Sequence, residues 1–154
     1  MSEQQAPVFS IEKVYVKDVS LEIPNAPKIF LEREAPEIEV QLHNEWSTID
    51  EGMYHVLLTV TVTAKVGEKT LFLVETGQAG IFQIRHIPEQ DMEPILAIAC
   101  PNIIFPYARE TISDLVTRAG FPPVLLAPVN FEGLYQQRMM AQQKNQPSAE
   151  TPIQ

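Results

Sequence analysis

The chain has 154 residues, 45% of them hydrophobic, and carries eleven basic against twenty acidic side chains for a formal net charge of −9. That length allows one domain with a real core, and that hydrophobic content is too high for a disordered chain. The acidic balance argues against a nucleic-acid binder, which needs clustered Lys and Arg for phosphate contacts. It suits a basic partner surface, or a client rich in Lys and Arg.

The N-terminal "MSEQQAPVF" has neither a basic n-region nor an apolar h-region, so no secretory signal is expected and the expected location is the cytoplasm. The longest uncharged stretch, Pro94 to Ala108, runs fifteen residues and is broken by Pro101 and Pro106. A membrane-spanning helix needs ~20 apolar residues. Cys100 is the single cysteine, so no internal disulfide is possible.

Taken in chain order, residues 1–7 read as a flexible tail, 8–144 as a single domain and 145–154 as a second flexible tail, polar and without periodicity. "VFSIEKVYV" is β-rich, and Val19, Leu21 and Ile23 then alternate with Ser20 and Glu22. "PNAPKIFLEREAP" is bounded by prolines and too long for a hairpin turn, so it is expected to carry the chain to a non-adjacent strand position. Glu37 to Trp46 alternates cleanly: Ile38, Val40, Leu42 and Trp46 face one way, Glu37, Glu39, Gln41, His43 and Glu45 the other. Met53 to Val66 is a long strand with apolar even positions and Thr59, Thr61, Thr63 and Lys65 opposite. "GEKT" closes a hairpin, and Leu71 to Ile84 returns, with Gly77 and Gly80 suggesting a bulge or bend.

After "HIPEQD" the period changes. Pro94 to Ala99 reads as a short helical turn or two. Ile104, Ala108, Thr111, Ile112, Leu115, Val116 and Ala119 recur at helical spacing, with Gly120 as the residue that ends the helix. Asn130 is the expected N-cap of a second helix carrying Phe131, Leu134, Tyr135 and Met139 on one face. Strands first and helices later indicate an α+β domain: a four-stranded antiparallel sheet with a long crossover loop, followed by two C-terminal helices packed on one face. The segment "FPPVLLAPVNF" between the helices is apolar yet holds Pro122, Pro123 and Pro128, which exclude it from helix and central strand. It either packs back on the sheet or forms a binding groove, since exposed apolar surface commonly marks a contact site.

Catalytic and metal motifs are sparse. His43, His55 and His86 show no ligand spacing, and one cysteine cannot form a thiolate cluster. Cys100 lies in an apolar stretch, the setting of a buried, inert thiol. "TGQAG" is too sparse for a phosphate loop and lies within a strand pattern, and most carboxylates fall on the polar side of strands or in loops. No catalytic residue, no cofactor and no metal is expected, and the chain is not expected to be an enzyme.

The stretches "YVKDVSLEIPNAP", "VTVTA", "FLVETGQAGIF" and "CPNIIFPYARETISDLVTRAGFPPVLLAPVNF" resemble the SecB family of bacterial export chaperones, in order and across nearly the whole chain. The resemblance implies an ATP-independent chaperone that holds secretory preproteins unfolded in the cytoplasm and delivers them to the SecA ATPase. It implies a homotetramer, a dimer of dimers, in which the loops at 24–36 and 121–130 wall an apolar client groove. The groove contacts expected here are Ile38, Val40, Leu42, Val124, Leu126, Phe131, Leu134, Tyr135 and Met139. Asp18, Glu22, Leu73 and Glu75 match the family positions that contact the basic, zinc-bearing C-terminal tail of SecA. Val74, Thr76 and Gln78 match positions where bulky or charged changes weaken assembly. Two departures stand out: Glu34 occupies a place where many relatives carry Trp, and Ala79 one where they often carry Gly. Two rival readings are a SecB-like chaperone dedicated to a toxin–antitoxin pair, and a small-molecule-binding or catalytic α+β protein that uses the same groove.

Overall fold

A computed structural model describes residues 5–145; residues 1–4 and, of the tail expected at 145–154, all but Asn145 lie outside that range, and Asn145 belongs to the last helix. Strands β1 (Val8–Glu22), β2 (Glu37–Asp50), β3 (Met53–Val66) and β4 (Lys69–Arg85) make one antiparallel sheet in the order β1-β4-β3-β2. The first two strands therefore sit at opposite edges. The segment between them crosses the sheet, as its length and prolines demand, and is pinned on the way by one 3₁₀ turn, Lys28–Leu31, whose Ile29 is buried.

Strand pairing follows the alternation of the sequence. Val56, Leu58, Val60, Val62 and Ala64 of β3 register with Gly80, Gln78, Thr76, Val74 and Phe72 of β4, all on one face. That face is the core: all ten positions are buried. Ile38, Val40, Leu42, Asn44 and Trp46 of β2 extend it, opposite Ala64, Val62, Val60, Leu58 and Val56. The opposite face carries Thr59, Thr61, Thr63, Leu73 and Glu75.

One bulge does fall at a glycine of β4, the shift between Val16 and Asp18 lying opposite Gln78 and Gly77. Register shifts lie between Ile11 and Lys13 and between Val16 and Asp18 in β1, and between Ala64 and Lys65 where β3 meets β4. Gly80 has a different reason to be glycine. A Cβ there would stand 2.8 Å from Phe82 Cε2 and 3.3 Å from Ile104 Cδ1, so a bare backbone is what lets Phe82 and the overlying helix close on the sheet.

The helical region begins earlier than the periodicity indicates. It runs through α1 (Glu89–Pro94), a π turn (Ile95–Ala99) and α2 (Cys100–Arg118). The prolines read as breakers, yet Pro101 sits in the first turn of α2, where its missing N–H costs little. The N–H of Cys100 reaches back to the Ile95 carbonyl, the wider i→i+5 step that lets a helix continue through an irregularity. Ile104, Ala108, Ile112 and Val116 lay one fully buried stripe of α2 on β4 and β3. Gly120, at φ +97°, ends the helix: its N–H donates to Thr117 O and that of Phe121 to Val116 O, the paired bonds of a Schellman cap. Ten residues after Gly120, Asn130 Oδ1 accepts the Gly133 N–H at 3.0 Å and so caps α3 (Phe131–Asn145) as its residue type foretells.

Overpacking a well-filled core costs about 1–3 kcal/mol. Gly80→Ala is therefore expected to lower unfolding stability by about that amount in a urea titration, with the folded circular dichroism spectrum unchanged; unaltered stability contradicts the close approach described for Phe82 and Ile104.

Candidate functional site

The stripe on α2 covers β4 and β3 and stops short of β2. Ile38 and Val40, both on the helix side of the sheet, are each left 42% exposed. Two loops rise beside them without covering them. The segment after α2 has no regular structure from Pro122 to Asn130, because Pro122, Pro123 and Pro128 lack donors for any ladder. It is tethered instead by aromatic contact: Phe121 stacks on Phe30 of the crossover segment and tilts against Phe72 of β4, with ring centroids 5.1 Å apart in each pair. Gly120 matters here a second time, since a Cβ would come 3.1 Å from Phe30 Cε1.

Between these walls lies an open cavity of about 760 Å³, lined by residues that include Ile29, Phe30, Ile38, Val40, Phe72, Phe121, Val124 and Leu126. Its carboxylates are Glu32 and Glu34. Farther along β2 a smaller cavity of about 170 Å³ is lined by Leu42, Asn44, Leu58, Ala97, Phe131, Leu134, Tyr135 and Arg138. Val40 and Leu42 are consecutive positions on one face of β2, so the two cavities form one groove along an edge strand. Asn44 donates to the Leu96 carbonyl at 3.2 Å, and its Oδ1 is buried with no partner among the described residues. Such a groove has the shape and lining to take up an extended apolar segment. Cys100 lies under the helices, fully buried, and burial pushes its thiol up to about 12.

The other face of the sheet is polar. Asp18, Ser20 and Glu22 of β1 pair with Gly77, Glu75 and Leu73 of β4. Continuing across β3, the rows end on Glu39, Gln41 and His43 of β2. Thr61 donates to Glu75 Oε1 at 2.8 Å and fixes that carboxylate flat on the sheet. Toward the opposite end of the same face, Tyr15 and His55 are 2.7 Å apart, and burial, with Lys17 secondary, lowers the His55 pKa. Among the described residues no three His, Cys, Asp or Glu side chains gather as a metal site requires, and no helix is long and apolar enough to cross a membrane.

Residues 2–143 match the family model described as preprotein translocase subunit SecB. The chain belongs to the SecB family. It is 65% identical over 150 residues to the protein-export protein SecB of Nitrosospira multiformis, covering 97% of this chain and 94% of that one. With the protein-export protein SecB of Dechloromonas aromatica it shares 60% identity over 154 residues, the full length of both. A solved Mycobacterium tuberculosis SecB-like chaperone in complex with a ChAD peptide from the HigA1 antitoxin has the same fold, with a TM-score of 0.66 at 16% identity over 79% of this chain and 90% of that one. The chain is thus a protein-export chaperone by family, on the four-stranded open sheet with one long and one C-terminal helix that its sequence implies.

Within this SecB fold, Ile38, Val40, Val124 and Leu126 line the larger cavity and Leu42, Phe131, Leu134 and Tyr135 the smaller; Met139 lines neither. Asp18, Glu22, Leu73 and Glu75 fall together on the polar face. Val74, Thr76 and Gln78 lie instead beneath α2, at most 3% exposed, with Thr111 donating to Gln78 Oε1 at 3.4 Å and Thr76 Oγ1 unpartnered. Sequence reasoning missed Leu71 and Phe72 as lining residues, because they read as ordinary strand positions. It missed Asn44 and Arg138 because a single polar residue in an apolar pattern has no periodic signature.

Proposed function

We propose that this SecB chain holds apolar segments of unfolded secretory preproteins in the groove beside β2, in the cytoplasm and without ATP, and passes them to SecA through the acidic sheet face. The uncovered apolar side of β2, walled by two proline-stiffened segments, carries this reading. Fully burying a large apolar side chain is worth roughly 1.5–3 kcal/mol, so several contacts along a groove hold an unfolded chain, while a folded client has its apolar segments already buried. The toxin–antitoxin reading is supported by fold likeness at 16% identity; the export reading draws on relatives at 60–65%.

Assembly as a homotetramer, a dimer of dimers, belongs to the same reading. Phe9, Ile11, Val16 and Val19 all project to the helix side of the edge strand β1, and each is 40–49% exposed. An apolar stripe of that length on a sheet edge favours burial against another copy. Val74, Thr76 and Gln78 would then act on assembly through the seating of α2 and not by touching a neighbour. Light scattering at micromolar concentration is expected to give four times the 17.4 kDa chain mass; a monomeric mass contradicts it.

Groove binding is tested by Leu42→Ser, Leu126→Ser and Leu134→Ser together. The expected outcome is loss of most holdase activity toward an unfolded client with the assembly state retained; full activity in the intact assembly rejects the groove.

Partner binding rests on Asp18, Glu22, Leu73 and Glu75 meeting the basic, zinc-bearing tail of SecA. Opposite charges on exposed surfaces speed association and lose strength as salt screens them. Calorimetry with the SecA tail peptide is expected to show weaker binding at high salt, and strongly weakened binding for Glu75→Lys with client binding unchanged. Wild-type affinity in Glu75→Lys removes this assignment.

A further inference from the structure

The face of the sheet opposite α2 has an apolar middle. Beyond the rows that hold Glu22, Glu75 and Asp18 comes the row Tyr15–Ala79–Leu57, and after it Lys13–Ile81–His55. Ala79 is 0% exposed although it stands on the open side of the sheet. Its cover comes from the strands on either side. Tyr15 of β1 and His55 of β3 meet at 2.7 Å with β4 between them, so their side chains span that strand. Leu57 leans the other way. Its Cδ1 lies 3.4 Å from where a Gly77 Cβ would stand, and the Asp18 carbonyl oxygen lies 3.7 Å from the same point. The bare Cα at Gly77 thus lets Leu57 reach the row of Asp18, and apolar and acidic surface are continuous.

We infer that Tyr15 and Leu57 form an apolar half of the partner site on this face. The basic peptide met by Asp18, Glu22 and Glu75 is then selected as well for a large apolar residue about four positions from its basic cluster. This inference rests on the SecA-tail reading above. The spacing follows from the sheet. Glu75 and Ala79 are four positions apart on β4, about 13 Å at ~3.3 Å per residue, which an extended peptide covers in the same number of residues. The direction follows from charge. Lys13 stands in the row beyond Tyr15 and repels a basic cluster, which holds that cluster at the acidic rows and its apolar neighbour over Tyr15 and Leu57. The bond to His55 restrains the Tyr15 ring, so little side-chain freedom remains to be lost when a partner packs against it.

The test titrates the full-length protein, by anisotropy at low and high salt, with three fluorescent lysine-cluster peptides. One carries Phe four residues before the cluster, one carries Phe four residues after it, and one has Ser at both places. One of the Phe peptides is expected to bind about ten-fold tighter than the Ser peptide, the scale of a large apolar side chain buried in part. That ratio should persist at high salt, where the attraction of the lysines is screened. Leu57→Ser and Tyr15→Ser should each remove most of the ratio with the assembly mass retained. Equal binding of all three peptides overturns the inference. So does a ratio that survives both variants, or one that vanishes in the triple variant Leu42→Ser, Leu126→Ser, Leu134→Ser, because the Phe then lies in the groove. If Glu75→Lys binds the Ser peptide as tightly as the wild type, the acidic assignment falls and takes this inference with it.

Discussion

Everything that distinguishes this molecule follows from the reach of one helix. The sheet presents four strands of apolar surface on one side, and α2 lays its stripe of Ile104, Ala108, Ile112 and Val116 over β4 and β3. Gly80 permits that seat, because any side chain there would meet Phe82 and Ile104. Having closed on the two central strands, α2 cannot also cover the edges. The apolar faces of β2 and β1 are left over, and each becomes a surface for something else to bury.

The two leftover faces differ in what stands beside them. Along β2 the crossover segment and the segment after α2 rise on both sides and meet through Phe30, Phe121 and Phe72, so the uncovered strip becomes a walled groove. Along β1 no such walls stand; Phe9, Ile11, Val16 and Val19 lie on an open edge, suited to a flat protein surface. In the proposed function an extended chain segment occupies the first and a second copy of the protein the second.

In the proposed function the sheet also separates two kinds of recognition. Because side chains alternate along each strand, β4 offers Val74, Thr76 and Gln78 to the helix and Leu73 and Glu75 to solvent. Nonpolar capture on one side and charge-dependent contact on the other need not compete for surface, and salt acts on the second far more than on the first.

Much of this architecture is legible in the residues. The period-two pattern of Glu37 to Trp46 and Met53 to Val66 defines the strands and their faces, since alternation is a local property of the backbone. Gly120 and Asn130 mark the end of one helix and the start of the next through local hydrogen bonds that their types make favourable. The prolines of Phe121 to Phe131 exclude regular structure there. What no local rule supplies is which surface stays uncovered. That Ile38 and Val40 are open while Val60 and Val62 are closed depends on the position of α2, on a π turn that carries the helix through Pro94 and Pro101, and on a bare Cα at Gly80. Periodicity assigns these four residues the same face; only packing between distant segments decides which of them remains available to a client.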